Sequence, residues 1–169
     1  MPEFDASDVV QLCLGKLSDL YGTSVRLDGT KPVGGGCISH AQKISTSVGD
    51  FFLKWNMQAP PDLFQKEAEG LNEMRGAGNP FLVVPKVVWS KVADDSPGLL
   101  LTEFLQPATS VSGFDERLGR GIARLHRKTA KVYGFHHPNY CGTTVQDNTW
   151  TTSWSEFFAQ CRIWALVLQ

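Results

Sequence analysis

The sequence lacks the features that would place it in a membrane, on nucleic acid or in a disulfide-rich scaffold. Its 169 residues contain no run of ~18 apolar residues, the length at which a membrane-spanning helix is considered. The formal net charge is only −1, which gives no overall attraction to nucleic acid or to an anionic membrane. The four cysteines form no CxxC pair, which argues against structural zinc and against a disulfide framework. We therefore expect a globular protein of a reducing compartment, the cytoplasm in the first place, with import into an organelle left open.

What is present is an ordinary globular composition, with 42% hydrophobic residues, and a clear order of helix and strand signals. Helical periodicity, alternation and turn signals predict helices over 5–21, 61–76, 112–129 and from about 151, and strands over 25–33, 38–46, 51–56, 86–92 and 99–104. An aromatic loop is predicted over 133–148. Strands joined by short turns pair antiparallel, so this order predicts an α+β fold with one helix interrupting a five-stranded sheet.

A run of three glycines, Gly34, Gly35 and Gly36, lies between the first two predicted strands. It is neither a Walker motif nor a dinucleotide fingerprint, because no Gly-Lys-Ser/Thr follows it and the next element is a strand. Glycines in such a loop allow the backbone N–H groups to approach a phosphate closely. A flexible hairpin turn explains the run equally well when it is taken alone.

A lysine and a glutamate on neighbouring elements strengthen the phosphate interpretation. Lys54 lies on the third predicted strand, where it shares a face with Phe52 and Asn56. Glu67 lies on the following helix, and the spacing places it in the middle of the apolar stripe formed by Leu63, Phe64, Leu71 and Met74. A carboxylate on a buried face needs a partner, and Lys54 is the obvious one. Such a pair downstream of a glycine hairpin is typical of the phosphate site of protein-kinase-like enzymes.

The predicted helix over 112–129 carries one basic side, formed by Arg117, Arg120, Arg124, Arg127 and Lys131. A basic face of this kind can bind an anionic substrate or nucleic acid, but it is more often a solvated surface. The helix has no interleaved aromatic platform on which single strands would stack, so nucleic acid is not an expected partner.

In order and spacing, the sequence resembles the fructosamine kinase family over nearly all of residues 5–162. The segments that carry the resemblance are 32–38, 51–54, 64–71, 84–86, 99–105, 118–127 and 134–158. The resemblance implies a protein-kinase-like fold, with an N-lobe and N-terminal helix over 1–106 and the hinge and first helices of an incomplete helical C-lobe over 107–169. It further implies ATP-dependent phosphorylation of the sugar 3-hydroxyl of protein-bound ketosamines, in protein deglycation, with Mg²⁺ as the metal.

By position in the family, the resemblance implies ATP-binding roles for several residues. Gly34, Gly35 and Gly36 would cover the phosphates, Lys54 and Glu67 would form the ion pair, and Glu103, Phe104 and Leu105 would form the adenine hinge. The partners implied are ATP and a glycated protein or ketosamine. The choice between fructosamine and ribulosamine stays open.

The sequence departs from the family in its acidic residues. The family's C-lobe continues with a His-Gly-Asp loop that carries the base and with a later metal-binding Asp, whereas Asp147 and Glu156 are the only acidic residues after Lys131. The apolar run from Ile163 to Leu168 no longer resembles the family. We therefore expect a truncated product without catalytic base or metal ligands, inactive on its own.

Cys37 follows the glycine run directly. A free thiol among backbone N–H groups favours its thiolate, so we predict a redox-sensitive residue able to form a disulfide-linked homodimer through Cys37 of a second chain.

Two other functions remain open at this stage. Another small-molecule kinase of the same fold would share the glycine loop, Lys54 and Glu67, but is not expected to share the segment 133–158. A non-catalytic interaction module derived from a kinase lobe would explain the missing acidic residues.

Overall fold

The computed structural model describes residues 4–36, 38–109 and 112–167. The helices are α1 (Ala6–Tyr21), α2 (Leu63–Gly76), α3 (Phe114–Leu125), α4 (Trp154–Phe158), a π-helix (Ala159–Trp164) and α5 (Ala165–Val167). The strands are β1 (Leu27–Pro32), β2 (His40–Thr46), β3 (Gly49–Asn56), β4 (Val87–Lys91), β5 (Gly98–Glu103), β6 (Asn139–Cys141) and β7 (Thr144–Gln146). None of the described helices is both long and apolar enough to cross a membrane.

The chain forms two compact units, which we describe separately. The first comprises residues 1–76 and 83–111, and the second comprises 77–82 and 112–169. The short segment 77–82 belongs with the second unit, where the Asn79 side-chain amide donates a 2.6 Å hydrogen bond to the Gly121 carbonyl.

The first unit is built on a five-stranded antiparallel sheet in the order β1-β2-β3-β5-β4. The predicted α+β fold with five antiparallel strands and one interrupting helix is thus confirmed. Six of the ten predicted strand ends lie one or two residues too far out, two lie one or two residues too far in, and two agree.

Helix α1 covers one face of this sheet. It begins with a capping box, in which the Asp5 carboxylate accepts from the Asp8 N–H and the Asp8 carboxylate accepts from the Asp5 N–H. It ends where Gly22 adopts a left-handed φ of 65° and returns its N–H to the Ser18 carbonyl. The core between helix and sheet contains Val9, Val10, Cys13, Leu14 and Leu17 from α1 and Val25, Ile44, Phe51, Leu53, Trp55, Leu99 and Leu101 from the sheet side.

The opposite face of the sheet carries α2 and the functional residues. Along β3 the buried side chains Phe51, Leu53 and Trp55 face α1, so Phe52 and Lys54 face the other way. Leu100 lies opposite Lys54 on β5, and Thr102 lies opposite Phe52. Helix α2 packs on this side, with Phe64 almost fully buried against Gly98 at the start of β5.

The second unit differs from the sequence prediction in two places. Helix α3 spans Phe114–Leu125 and is shorter than the predicted 112–129, and the predicted aromatic loop contains the hairpin β6–β7. The hairpin turns at Gly142, whose φ is 66°. Its strands have three residues each, too short for an alternation pattern to be recognised.

Candidate functional site

The glycine run lies in the connection between β1 and β2. Gly35 has a φ of 112°, a conformation that favours glycine. Two hydrogen bonds anchor the ends of the connection: the Val33 N–H donates to the Ala41 carbonyl at 3.0 Å, and the Asn56 amide donates to the Ile38 carbonyl at 2.7 Å. Gly34, Gly35 and Gly36 are exposed, so their backbone is accessible to a ligand. Cys37 lies outside the described residues, and the redox and dimer hypothesis built on it stays a prediction.

Lys54 and Glu67 meet as the sequence predicts. The Lys54 ammonium donates to both carboxylate oxygens of Glu67, each at 2.9 Å. The two side chains keep 30% and 34% of their surface exposed, so the pair is half-buried. An ammonium has three N–H donors, and the two bonds to Glu67 leave one for a ligand. Lys54 on β3 thus presents an ammonium group whose orientation is fixed by Glu67 on α2.

The expectation that Glu67 lies in the middle of a buried stripe was partly wrong. The buried residues of α2 are Leu63, Phe64 and Ala68, whereas Met74 is exposed and Leu71 is half-buried. Because α2 buries only residues of its first two turns, the apolar stripe of the later turns is left partly in solvent. Glu67 therefore lies at the margin of the buried face, where its carboxylate reaches Lys54 and still contacts water.

A cleft of about 570 Å³ opens on the same face of the sheet. It is lined by Lys31, Pro32, Val33, Gly34, Lys43, Phe52, Pro85, Thr102, Glu103, Phe104, Leu105, Gln106 and Pro107. Lys54 does not line it, but Phe52 does, and two residues along a strand span about 7 Å. The apolar cleft and the Lys54 ammonium are therefore neighbouring parts of one surface, with Gly34 at its edge.

The three predicted hinge residues all line this cleft, and hydrogen bonds hold the main chains of Glu103 and Phe104. The Phe104 N–H donates to the Asp50 carbonyl at 3.2 Å, and the Glu103 N–H donates to the Lys86 carbonyl at 2.9 Å. The Glu103 carboxylate accepts the Lys86 N–H at 2.8 Å and lies 3.6 Å from Arg75. One oxygen of the Glu103 side chain is thus engaged by the protein, and the main chain of this residue is a further group that a ligand can contact.

Lys31 and Lys43 are cleft residues that the sequence analysis did not identify. They lie directly opposite each other on β1 and β2, and Lys43 pairs with Asp50 at 2.6 Å beneath the Phe104 ring. The hydrogen bond from Lys43 lowers the pKa of the Asp50 carboxyl. The alternation of β2 was the available signal, because Lys43 faces the same side as its β3 partner Phe52.

In the second unit, the Asp147 carboxylate accepts hydrogen bonds from Thr149, two residues further along the same turn. It accepts the Thr149 hydroxyl at 2.7 Å and the Thr149 N–H at 2.9 Å, and these bonds lower its pKa. The neighbouring Asn148 is buried, and its Oδ1 accepts a 2.6 Å hydrogen bond from Arg162 Nη2. This bond connects the loop after β7 to the π-helix. The lowered pKa makes the Asp147 carboxylate a weaker proton acceptor than an ordinary aspartate.

Comparison with known proteins identifies the family of the chain. The sequence model of the fructosamine kinase family matches residues 10–169. The chain belongs to the fructosamine kinase family. The match includes the segment 133–158, which the other small-molecule kinases considered above are not expected to share.

Curated relatives agree with this assignment. The protein-ribulosamine 3-kinase, chloroplastic, of Oryza sativa subsp. indica is 36% identical over 144 residues, which cover 84% of this chain and 41% of the relative. The protein of the same name from Arabidopsis thaliana is 33% identical, covering 84% of this chain and 43% of the relative. The "Probable ketoamine kinase YniA" of Escherichia coli K12 is 34% identical, covering 79% and 46%. The chain therefore spans less than half the length of these three relatives.

Solved structures agree with the fold. A crystal structure of a candidate fructosamine-3-kinase from Haemophilus somnus 129PT superposes with a TM-score of 0.78 at 24% identity, covering 89% of this chain and 50% of that one. A second, from Thermobifida fusca YX-ER1, gives a TM-score of 0.69 at 25% identity with the same coverage. The chain thus shares the fold of the matched half of each of these two longer chains.

Proposed function

We propose that this chain is the nucleotide-binding part of an ATP-dependent ketosamine kinase. The observation that carries the proposal is the Lys54–Glu67 pair, with two 2.9 Å bonds, on the face of the sheet that also holds the cleft and the glycine connection. Its support is geometric, because an oriented cation, an exposed glycine backbone and an apolar cleft lie on one surface. The first two suit the phosphates of ATP, and the cleft suits its purine.

In this proposal the phosphates and the purine of ATP each have a partner of matching chemistry. The remaining N–H of Lys54 and the backbone of Gly34, Gly35 and Gly36 hold phosphate oxygens. The purine enters the cleft between Phe52 and the hinge residues Glu103, Phe104 and Leu105, where main-chain groups fix its edge. Glu67 contacts no ligand and acts by directing the Lys54 ammonium.

Mg²⁺ would accompany ATP and neutralise charge on the transferred phosphoryl group. We assign no metal ligand among the residues of this chain. Their part in the reaction is to bind and orient the nucleotide.

The acceptor in this proposal is the sugar 3-hydroxyl of a protein-bound ketosamine, which places the protein in deglycation. The support is the family match and the names of the plant relatives, which are called protein-ribulosamine 3-kinases. The Escherichia coli relative is named only as a ketoamine kinase. Both ribulosamine and fructosamine substrates are therefore to be assayed.

Nucleotide titration with a charge-removing variant tests the proposal. We expect Lys54→Met to weaken ATP binding about 10- to 100-fold, because a charge-assisted hydrogen bond contributes roughly 1.5–3 kcal/mol. Isothermal titration calorimetry with and without Mg²⁺ measures this. The matched control is Lys91→Met, because Lys91 is also a strand lysine paired with a carboxylate, Asp94, but lies outside the cleft. Failure of the unaltered chain to bind ATP, or equal affinities of the two variants, would contradict the proposal.

A second candidate function is nucleotide binding without phosphoryl transfer. It is favoured by the acidic residues: Asp147 and Glu156 are the only ones after Lys131, and the Asp147 carboxylate is engaged by Thr149. In this version the 169 residues bind ATP and present it to a partner. An assay of transfer by these residues, described in the Discussion, separates the two candidates.

A further inference from the structure

The ladder between β4 and β5 ends in an unusual way at Glu103. Val87 lies opposite Thr102, and Lys86 and Glu103 form the next pair. A hydrogen-bonded antiparallel pair exchanges two main-chain bonds. Here the Glu103 N–H donates to the Lys86 carbonyl at 2.9 Å, but the return bond from the Lys86 N–H goes to the Glu103 carboxylate at 2.8 Å. The side chain has taken the place of its own main-chain carbonyl.

Because the carboxylate accepts the Lys86 N–H, the Glu103 carbonyl at the edge of the cleft can accept a further hydrogen bond. The carbonyl accepts one hydrogen bond, from the hydroxyl of the neighbouring Thr102 at 3.1 Å. A carbonyl oxygen has two lone pairs, so it can accept a second donor. Both Thr102 and Glu103 line the cleft.

Arg75 holds the carboxylate in this role. It lies in the last turn of α2, two turns beyond Glu67. Its Nη1 donates to the Val84 carbonyl at 2.6 Å and lies 3.6 Å from Glu103 Oε1. The guanidinium thus bridges the segment that leads into β4 and the end of β5, and its charge attracts the carboxylate that accepts the Lys86 N–H.

We propose that the Glu103 carboxylate, held by Arg75, is a positioning group that accepts the Lys86 N–H and so keeps the Glu103 carbonyl available to the 6-amino group of a purine. The inference rests on the proposed nucleotide function and adds to it a source of base selectivity. Arg75 and the Glu103 side chain contact no ligand in this arrangement; they determine which acceptor the hinge offers.

The test compares ATP with purine riboside triphosphate, which has hydrogen in place of the 6-amino group. We expect the unaltered chain to prefer ATP about 3- to 10-fold, the size of one hydrogen bond. In Glu103→Ala the Lys86 N–H turns to the freed main-chain carbonyl, and the preference falls to about one. Arg75→Met lowers the preference part of the way. Glu103→Gln retains it, because its amide oxygen still accepts the Lys86 N–H.

Two controls separate positioning from a general loss of structure. Inorganic tripolyphosphate contacts only the phosphate end, so its affinity is expected to be the same in every variant. Arg26→Met removes another exposed arginine of the first unit, paired with Asp28 at 2.9 Å outside the cleft, and is expected to keep the full preference for ATP. A role limited to stability would weaken both nucleotides equally and leave their ratio unchanged.

The outcomes distinguish this inference from the proposed function. If the unaltered chain binds ATP and Glu103→Ala keeps the full preference, the inference is wrong and the nucleotide function stands. If Glu103→Ala does not fold, an undiminished preference in Arg75→Met overturns the inference in the same way. If the unaltered chain binds neither nucleotide, the proposed function fails and the inference fails with it.

Discussion

Lys54 and Glu67 illustrate how one contact can matter little for folding and much for binding. Both side chains keep about a third of their surface in solvent, and ion pairs of that exposure typically contribute 0.2–1 kcal/mol to stability. Both carboxylate oxygens of Glu67 nevertheless accept hydrogen bonds from the Lys54 ammonium. These two bonds fix the direction of its third N–H. The value of the pair therefore lies in orienting a cation before the anionic ligand arrives.

Gly134 is a residue whose replacement is expected to destabilise the second unit. Its φ is 146°, and an added Cβ would lie 2.7 Å from the Asn148 carbonyl oxygen and 2.9 Å from the Trp150 Cα, both backbone atoms. Backbone strain and overpacking each cost about 1–3 kcal/mol. We expect Gly134→Ala to lower the free energy of unfolding by about 2–4 kcal/mol, measured by urea denaturation.

Gly113→Ala is the matched control for Gly134. It lies in the same unit and has a φ of 76°, but no atom lies within 4 Å of the added Cβ. It carries the conformational cost alone, about 1–2 kcal/mol. Equal losses in the two variants would show that the close approach to Asn148 and Trp150 is not what fixes glycine at 134.

The buried thiol of Cys13 is expected to lower the free energy of unfolding at alkaline pH. Burial in the α1 core raises its pKa from 9.0 to about 12. Above pH 9 the unfolded chain releases the thiol proton while the folded chain retains it, so the unfolded state is favoured as pH rises from 9 toward 12. By linkage we expect this thiol to remove about 0.8 kcal/mol of the free energy of unfolding between about pH 7.5 and 9.5. Urea denaturation of wild type and Cys13→Ala measures it, and parallel pH profiles would contradict it.

At the scale of the elements, the sequence predicted what local pattern determines. The hairpins of the first unit have turn residues between alternating strands, and α1 has a capping box and a terminal glycine, so their order and pairing could be predicted. The β6–β7 hairpin could not, because three-residue strands have no period. The Glu67 contact was predicted for a reason that was partly wrong, since helical spacing gives a face but not how far the sheet covers it.

Helix α1 is expected to stabilise the first unit through the face that packs against the sheet. Leu17 is fully buried against the sheet, whereas Leu20, one turn later, is 52% exposed. We expect Leu17→Ala to cost about 2–5 kcal/mol, from lost burial and a cavity, and Leu20→Ala less than about 0.5 kcal/mol. Urea denaturation of both variants compares them. Similar losses would mean that α1 acts through its helix propensity and not through its packing.

At the scale of the whole molecule, binding and transfer are separable properties. The nucleotide surface proposed here lies entirely within the first unit, on residues of its segments 31–67 and 85–107. Phosphoryl transfer needs in addition a group that accepts the hydroxyl proton and groups that hold the metal. In the second unit the Asp147 carboxylate accepts two hydrogen bonds from Thr149, and we assign no base among the described residues.

We therefore predict that these 169 residues bind ATP but do not phosphorylate a ketosamine. The experiment incubates the chain with radiolabelled ATP, Mg²⁺ and either fructose-lysine or ribulose-lysine, and measures label in the sugar. ATP binding by calorimetry on the same preparation shows that the protein is folded and loaded, so a blank assay then reports on transfer alone. The Escherichia coli relative serves as a full-length comparison under identical conditions. Transfer above background that Lys54→Met abolishes would contradict the prediction, because the chain would then contain a base that neither its acidic residues nor its described geometry reveals.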